Sequence, residues 1–414
     1  MCPTLLSDDL VRHDVDAKYI TVDGARYRRA IRAEQTYVGQ AGRMRVERNL
    51  YQPVGGGPSI CPLEFRAGIV EGTWTPRAAR IMATMVAEVP PSDAASIIAE
   101  FGGMAPSSSS LDRLPKLLSE QWEEQRLKWE ETIRSQDRVP TEAAVIAVSL
   151  DGVHVPLKKE EVQHDPNNKN GYREASCGTV TYLDKEGKRI STVRFARMPE
   201  TKKRTLKAQL EAEFNWAMEQ RPNLTVVKIA DGAPDNWEFL QELGDGCGVE
   251  ILDFYHAAAH LKEAADAVYG ADTQEARAFF QSWRSTLKED PQGAEKILRA
   301  VRYRRDKAHG KARKTLTAAL QYFRSMRNGM EYHAYQEACL PIGSGVVEAA
   351  CKTLVNERLK QSGMRWTLRG GQAILTLRSL LQSARWGKAW DLLARSYESE
   401  VRVDDQRQRR SLAA

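Results

Sequence analysis

The sequence lacks the cysteine patterns and the long apolar runs that are typical of metal-binding, disulfide-rich or membrane proteins. Its six cysteines, among 414 residues, form no CxxC or Cys/His ligand pattern, so they predict free thiols rather than a zinc finger or a disulfide scaffold. No uninterrupted apolar run is long enough to span a bilayer, and the first residues are too acidic and too short of apolar side chains for a secretion signal. We therefore expect a cytoplasmic protein without a membrane partner.

The chain also lacks a strong charge of either sign. Lys and Arg number 61 against 55 Asp and Glu, which gives a formal net charge of +6. Positive charge therefore matters through its clustering more than through its total, and a nucleic-acid partner is permitted. With 42% apolar residues, the length allows two or three domains with a substantial core.

Two apolar segments each carry an Asp-Gly pair. The strand in AAVIAVSLDGVHVPL is predicted to end at Asp151-Gly152, and the strand in LTVVKIADGAPDNW at Asp231-Gly232. A lone Asp-Gly pair indicates only a turn. Neighbouring central strands would bring the two aspartates together at one edge of a sheet, which favours a metal site.

A third carboxylate lies in PIGSGVVEAACKTLVNERLKQSGMRW, where Glu348 stands near the start of a helix that begins at Ser344. One interpretation is a first-turn acid stabilised by the helix dipole. The other groups Glu348 with Asp151 and Asp231. Three converging carboxylates repel one another, so such a site requires divalent cations, and two Mg²⁺ ions are the natural occupants, with Mn²⁺ as a possible substitute.

The order of predicted elements is a three-strand meander, a helix, a strand, a helix, a strand and finally the helix with Glu348. This order predicts an α/β protein with a ribonuclease-H-like catalytic core that an all-α insertion interrupts. Before it we expect two β-hairpins and a helix-turn-helix whose second helix carries Arg113 and Lys116; a structural αα-hairpin is the alternative.

The predicted parts are a β region (1–74), the helix-turn-helix and a solvated connecting helix (75–140), the core (141–256 and 341–395), the insertion (257–340) and a tail (396–414).

Positive charge clusters at two further places. Such clusters are often only solvated helix faces, but their density favours surfaces that track a DNA backbone. In the insertion they are Arg302, Arg304, Arg305, Lys307, Lys311, Arg313 and Lys314, and after Glu348 they are Lys352, Arg358, Lys360 and Arg365.

With these motifs in hand, the chain resembles a bacterial insertion-sequence transposase of the DDE class, most closely the ISKra family and its Mutator-like relatives. The motifs that carry the resemblance are SLDGVHVPL, ADGAPDNW, LDFYH and above all GSGVVEAACKTLVNERLKQSGMRW. The resemblance covers residues 140 to 385 firmly and the N-terminal region loosely.

The resemblance implies that Asp151, Asp231 and Glu348 are the catalytic triad and the metal ligands. It also implies that the helical stretch before Glu348 is the insertion domain of such enzymes. In LDFYH, it places Asp253 and His256 beside the active site, where His256 could touch the scissile phosphate or brace the metal site. A histidine that caps a helix start and is bonded to Asp253 is the alternative.

Several nearby residues favour structural roles. Asp235 is close enough to Asp231 to be confused with it, although its place after Pro234 suits a first-turn helix acid. His260 is predicted to be structural. For Trp237, Trp283 and Trp366, a core position is favoured over stacking on an unpaired base.

The resulting expectation is a transposase that binds the terminal inverted repeats of an insertion sequence through residues 1 to 140. It would cleave double-stranded DNA to free a 3′-hydroxyl and join that end to target DNA, as a homodimer or larger assembly, associated with the bacterial nucleoid when on DNA. Two alternatives are a non-catalytic DNA-binding protein derived from a transposase and a ribonuclease-H-like nuclease.

Overall fold

The computed structural model describes residues 3–162 and 171–404. The strands are β1 (Tyr19–Val22), β2 (Ala25–Gly39), β3 (Gly42–Pro53), β4 (Val145–Pro156), β5 (Tyr172–Leu183), β6 (Arg189–Arg197), β7 (Thr225–Ala230), β8 (Val249–Leu252) and β9 (Val401–Val403). Among the described residues, no helix combines the length and the apolar content needed to cross a bilayer.

The first helices are α1 (Pro3–Val11), α2 (Pro62–Arg66), α3 (Pro76–Glu88), α4 (Pro91–Glu100), α5 (Ser108–Gln136), α6 (Lys159–Val162), α7 (Arg204–Gln220) and α8 (Pro234–Glu242). They are followed by α9 (Phe254–Tyr269), α10 (Gln274–Glu289), α11 (Gly293–Lys307), α12 (Gly310–Ser325), α13 (Tyr332–Glu337), α14 (Gly345–Ala350), α15 (Glu357–Leu359), α16 (Leu368–Gln382) and α17 (Trp386–Arg395). A 3₁₀ turn, Thr201–Lys203, precedes α7, and a π-helical segment, Cys351–Asn356, joins α14 to α15.

The contacts divide the chain into two units. The first contains residues 1–133 and 384–414, and the second contains residues 134–383. This division differs from the predicted one in two respects. Helix α17, predicted to belong to the catalytic core, groups with the N-terminal region, and the helices of the predicted insertion lie in the same unit as the second sheet.

The first unit contains a four-stranded sheet in the order β3-β2-β1-β9. Asp23 and Gly24 have φ of 48° and 79°, as the tight turn between β1 and β2 requires. The two predicted hairpins share β2 and form one meander. The tail predicted for 396–414 needs correction, because Val401–Val403 pairs with β1; residues 405–414 lie outside the described residues.

The helices predicted as a helix-turn-helix are α4 and α5. Gly102 and Gly103, with φ of 75° and 85°, follow Phe101, the residue that caps the C-terminus of α4. The prediction of a separate, solvated connecting helix was wrong, since α5 is a single helix of 29 residues. Its apolar positions recur at helical spacing, so that one face is buried along its length; that face includes Trp122, Trp129 and Ile133.

The second unit contains a five-stranded sheet in the order β6-β5-β4-β7-β8. Strands β4, β5 and β6 are antiparallel neighbours, whereas β7 and β8 run parallel to β4. The predicted meander followed by two further strands is therefore present. Strand β4, however, does not end at Asp151-Gly152 as predicted, because it stays paired with β5 as far as Pro156.

The two faces of this sheet bury separate cores. Side chains alternate along β4, so Val145 and Ala147 face one core, and Ile146 and Val148 face the other. The first core is shared with α9 to α13, and the second with α7 and α8. The helices of the predicted insertion thus cover one face of the sheet with a continuous apolar core.

Candidate metal centre

Asp151 and Asp231 occupy matched positions on neighbouring parallel strands. The last paired residues of β4 and β7 are Ser149 and Ile229, and each aspartate stands two residues further along. Because side chains on one face of a strand repeat every two residues, both carboxylates face the layer of α9 to α13. Strands in a sheet are about 4.8 Å apart, so the two acids are neighbours.

The carboxylate of Asp151 is partly buried and held by two donors. The Gly152 amide donates to Oδ1 at 2.7 Å, and the Cys351 thiol donates to Oδ2 at 3.7 Å. Burial raises the pKa of Asp151 above the usual 3.8, the Gly152 amide lowers it, and the negative charge of Asp231 raises it further. The repulsion between the two acids is what a bound cation would relieve.

The carboxylate of Asp231 is oriented by the turn that follows β7. Its Oδ1 accepts hydrogen bonds from the Ala233 amide at 3.1 Å and from Asn236 Nδ2 at 3.3 Å. The Trp237 indole donates to the backbone carbonyl of Asp231 at 2.5 Å. Since Asn236 and Trp237 lie in α8, this helix fixes both the side chain and the main chain of Asp231.

Glu348 lies on the exposed side of the short helix α14. Ser344, directly before that helix, donates its hydroxyl to Glu348 Oε1 at 3.0 Å. Cys351, three residues after Glu348, is the residue whose thiol reaches Asp151. Helix α14 and the π-helical segment therefore cross β4 and β5 on the face that carries the two aspartates.

A group of three potential metal ligands shares Glu348 with the predicted triad. Asp253, His256 and Glu348 each offer a ligand atom, and these three atoms lie within 4.8 Å of one another. The His256 imidazole is also close enough to Asp151 to lower its pKa. His256 is therefore close to both Asp151 and Glu348, whereas the predicted set of Asp151, Asp231 and Glu348 does not form such a compact group among the described residues.

Asp253 is better suited to hold the site together than to bind a cation. It is 0% exposed, and both of its oxygens accept backbone hydrogen bonds. The His256 amide donates to Oδ1 at 2.7 Å, and the Ser344 amide donates to Oδ2. Asp253 thus caps α9, whereas the structural alternative from the sequence had His256 as the cap; the predicted link between the two residues is the hydrogen bond from the His256 amide. Asp253 also ties α9 to the start of α14.

The carboxylates predicted as ligands would suit a hard divalent cation. Asp151, Asp231 and Glu348 offer carboxylate oxygens, which Mg²⁺ and Mn²⁺ prefer, while thiolate ligands would select softer metals. The Cys351 thiol is not a competing metal ligand. A hydrogen bond with Cys177 and burial both raise the pKa of the Cys351 thiol, so it stays protonated and donates to Asp151.

Tyr322 of α12 belongs to this site and was not predicted. Its ring lies so close to Gly232 that a Cβ on Gly232 would be 2.2 Å from Cε2 of the ring. Its buried hydroxyl has no hydrogen-bond partner in the part of the chain that the structure describes. Burial raises the pKa of Tyr322, and the charges of Asp231 and Asp253 add to the rise, which places the hydroxyl near both acids.

Sequence patterns could have identified some of the residues that donate hydrogen bonds to the three carboxylates. Ser344 stands four residues before Glu348 and Cys351 three residues after it, the two spacings that share a helical face. Asn236 follows Asp231 by five residues, on the helix that Pro234 opens. Tyr322 gave no such signal, since it lies in a region of the sequence without a motif.

The residues predicted to be structural are placed as follows. Asp235 is paired with Lys207 at 2.9 Å and with Lys203 at 3.7 Å, which explains its position in the first turn of α8. Trp237 and Trp283 are buried. Trp366 donates its indole N–H to the Leu359 carbonyl at 2.9 Å, and the His260 ring lies 4.0 Å from the Tyr322 ring, centroid to centroid.

The cations predicted in the insertion lie at the turn between α11 and α12. Arg302, Lys307, Lys311, Arg313 and Lys314 are exposed, and Arg304 and Arg305 are half-buried. Arg304 stacks on Phe279, 4.9 Å from the ring centroid, and Arg305 pairs with Asp306 at 2.6 Å. The exposed members present positive charge to solvent, whereas Arg304 is directed toward the aromatic core.

One predicted DNA contact after Glu348 is contradicted by burial. Arg358 is 1% exposed and lies over the Trp366 ring, 5.3 Å from its centroid, so it packs the helix and cannot reach a phosphate in this conformation. Lys352, Lys360 and Arg365 are exposed.

In the first unit, the two predicted contacts of α5 also differ in their surroundings. Arg113 is exposed. Lys116 is half-buried and pairs with Asp112 of the same helix at 2.5 Å. Of the two, Arg113 is therefore the cation more available to an anionic partner.

Comparisons with known proteins give little further information. No protein-family model matches this chain, and no curated protein matches it. Among solved structures, the chain is similar to the Drosophila P element transposase strand transfer complex, with 10% sequence identity over 74% of this chain and 79% of that chain, and a TM-score of 0.26. A likeness at this TM-score does not establish a shared fold, so function must be argued from the residues of this chain.

Proposed function

We propose that this chain is a DDE transposase of the ISKra type, which cleaves and joins DNA at the site formed by Asp151, Asp231 and Glu348. The observation that carries the proposal is the matched position of the two aspartates on parallel neighbours β4 and β7, with the helix of Glu348 crossing the same face. His256, which is near both Asp151 and Glu348, supports the assignment of Glu348 to the same site.

The sheet supports the same reading. Three antiparallel strands followed by two parallel ones, in the order β6-β5-β4-β7-β8, are what the sequence led us to expect of a ribonuclease-H-like core. In that reading α9 to α13 form the insertion, between the second aspartate and Glu348. Their shared core with the sheet supports an insertion that is docked on the catalytic fold.

Each residue of the site has a role in this proposal. Asp151, Asp231 and Glu348 would hold two Mg²⁺ ions, for which Mn²⁺ is a substitute. Ions at such a site activate a water or a 3′-hydroxyl for attack at phosphorus and stabilise the departing oxygen. His256 is exposed beside Glu348 and contacts the scissile phosphate. Asn236, Ser344 and Cys351 orient the three carboxylates through the hydrogen bonds described above.

The exposed cations supply the DNA contacts. Lys352, Lys360 and Arg365 follow Glu348 and hold DNA backbone near the site. The turn between α11 and α12 adds Arg302, Lys307, Lys311, Arg313 and Lys314. The element ends are bound by the N-terminal region, in which α4 and α5 are the candidate helix-turn-helix and Arg113 a candidate contact. Two DNA ends must be held at once, so the active form is a homodimer or a larger assembly.

The test compares two Asp→Asn variants on DNA that contains the element ends. Asp231→Asn removes one charge from the site and should lower Mg²⁺-dependent cleavage by about 10³-fold or more, with end binding retained. Asp245→Asn is the matched control, because Asp245 is exposed in the turn after α8 and has a φ of 53°, which Asn also tolerates.

Four results would contradict the proposal. Equal cleavage by the wild type and Asp231→Asn would mean that this carboxylate takes no part in the chemistry. Loss of end binding together with cleavage would make Asp231 a structural residue. Binding of end DNA without any cleavage by the wild type would favour a non-catalytic DNA-binding protein, and preferred cleavage of RNA–DNA hybrids would favour a nuclease.

A further inference from the structure

Two adjacent lysines before α7 share an unusual backbone conformation. Lys202 and Lys203 both have φ of 53°, in the left-handed region that residues other than glycine rarely adopt. Such conformations persist where surrounding contacts hold them, and they cluster at functional sites. The two side chains differ, since Lys202 is exposed and Lys203 is half-buried.

The Lys203 ammonium lies at the centre of a polar network. Its Nζ donates to Asn236 Oδ1 at 3.0 Å and pairs with Glu174 Oε1 at 3.0 Å. Asp235 Oδ2 is 3.7 Å away. An ammonium group has three N–H donors, and these three partners come from two different elements, β5 and α8.

Two partners of Lys203 lie next to the two aspartates, Asn236 beside Asp231 and Glu174 beside the backbone that follows Asp151. Asn236 is 2% exposed, and its Nδ2 donates to Asp231 Oδ1 at 3.3 Å. Because Lys203 takes the amide oxygen of Asn236, the amide must present its N–H groups to Asp231. Glu174 packs against Gly152, where an added Cβ would be 2.3 Å from Glu174 Cδ. Lys203 therefore braces the turn of Asp231 and the backbone beside Asp151.

We propose that Lys203 is a positioning residue that sets the orientation of the Asp231 carboxylate through Asn236. The inference rests on the proposed metal site, because it assigns a role in that site to a residue that touches neither substrate nor metal. A buried Asn can present either its oxygen or its amide N–H groups to a neighbour. The bond from Lys203 selects the amide, which leaves the remaining Asp231 oxygen directed at the site.

The experiment compares Lys203→Met, Lys203→Arg and Lys202→Met in the full-length protein. Lys202→Met is the matched control, since Lys202 has the same backbone angle without the network. The first readout is Mn²⁺ affinity, measured from free Mn²⁺ by electron paramagnetic resonance. Removal of a residue that orients a ligand typically lowers metal affinity by about 10- to 100-fold. We expect about a tenfold loss in Lys203→Met, partial recovery in Lys203→Arg and no change in Lys202→Met.

The second readout needs no metal. With ¹⁵N-labelled asparagine, the side-chain amide protons of Asn236 should exchange slowly in the wild type and in Lys202→Met, and markedly faster in Lys203→Met. A loss of thermal stability without either change would mean that Lys203 is only a structural ion pair and would overturn the inference.

The two proposals can fail separately. If Asp231→Asn abolishes Mn²⁺ binding while Lys203→Met binds Mn²⁺ as the wild type does and protects Asn236 equally, the metal site stands and the positioning role is wrong. If the wild type shows no Mn²⁺ binding that depends on Asp231, the proposed function is wrong. In that case slow exchange at Asn236 that depends on Lys203 still supports the orienting role, and unchanged exchange overturns it.

Discussion

Asp231 and Asp253 occupy comparable positions in the second sheet, yet their surroundings are opposite. Each directly follows a parallel strand, β7 or β8, and faces the same helical layer. Asp231 is half-buried, and one of its oxygens accepts both of the hydrogen bonds described for its side chain. Asp253 is 0% exposed, and each of its oxygens accepts a backbone N–H.

This difference separates two uses of a carboxylate. A carboxylate whose oxygens both satisfy buried backbone donors stabilises the chain path. One whose donors all converge on a single oxygen is oriented while its other oxygen is directed elsewhere. The same topological position therefore yields a structural acid at β8 and a candidate ligand at β7, and the hydrogen-bond partners, more than the position, distinguish the two.

The largest expected effect on stability comes from Asp253→Ala. It leaves the buried amides of His256 and Ser344 without acceptors, and an unsatisfied buried donor costs about 1–3 kcal/mol. We expect the free energy of unfolding to fall by about 3 kcal/mol, measured by urea denaturation. Asp231→Ala should lower it less, by about 1 kcal/mol, because only one of its two donors, the Asn236 side chain, is buried. Equal losses in both variants would show that the comparison is wrong.

A smaller effect is expected at the glycine that follows Asp231. In Gly232→Ala the new Cβ would meet the half-buried Tyr322 ring at 2.2 Å, whereas in Gly343→Ala it would meet the Tyr255 ring at 2.7 Å. Tyr255 is 58% exposed and can move aside. Overpacking costs about 1–3 kcal/mol, so Gly232→Ala should be destabilised by roughly that amount, and Gly343→Ala by less, in the same denaturation assay.

A second-site variant checks the cause. Tyr322→Leu removes the ring that blocks a Cβ at residue 232. The loss from Gly232→Ala should therefore be smaller in the Tyr322→Leu background, and the difference is the coupling energy between the two positions. Strict additivity would mean that Gly232 is required for another reason.

The smallest effect concerns charge, and it tests whether Asp151, the neighbour of Asp231, is also a candidate ligand rather than a structural acid like Asp253. Burial and the charge of Asp231 hold the pKa of Asp151 above its usual 3.8 in the folded protein. The folded state then binds this proton more tightly than the unfolded state, so the stability it contributes is complete below pH 3.8 and is lost as pH rises through the folded pKa.

Asp151→Asn removes this dependence. In protein freed of divalent ions by a chelator, the variant should be more stable than the wild type at pH 7, and the advantage should shrink toward pH 4. Thermal unfolding at the two pH values measures it. Addition of Mg²⁺ should stabilise the wild type and not the variant. A variant that is less stable at both pH values would show that the charge of Asp151 is favourable in the folded state.

The sequence predicted the strands that carry the acids, because buried parallel strands leave continuous apolar runs that stop at Asp-Gly. It did not predict that β4 continues to Pro156. Strand β4 continues because it pairs with β5 across the whole length of both strands. The sequence of one strand does not indicate how long its partner is. The second acceptor role of Asp253 was missed for the same reason, since Ser344 is 91 residues away.

The sequence predicted where basic residues cluster better than it predicted which of them could contact DNA. The basic residues between 302 and 314 lie at the end of α11 and the start of α12, and most of them are exposed. Arg304 in this cluster stacks on an aromatic ring, however, and Arg358 in the second cluster is buried. A lysine or arginine stem can pack as a hydrophobic side chain, so sequence alone does not separate a packing arginine from a phosphate-binding one. Continuous helicity of α5 was likewise missed, because the charged residues of its second half were interpreted as a separate, solvated connecting helix although one face of them is buried.

Strand β9 carries a consequence for biosynthesis. It pairs with β1, although Val401 is synthesised some 380 residues after Ile20. The outer side of β1 therefore stays unpaired until Val401–Val403 has been synthesised, and an unpaired strand edge invites pairing with other chains. The sheet of the first unit would thus be completed only after the residues of the second unit have been made, and a truncation before residue 400 would leave that sheet without its fourth strand.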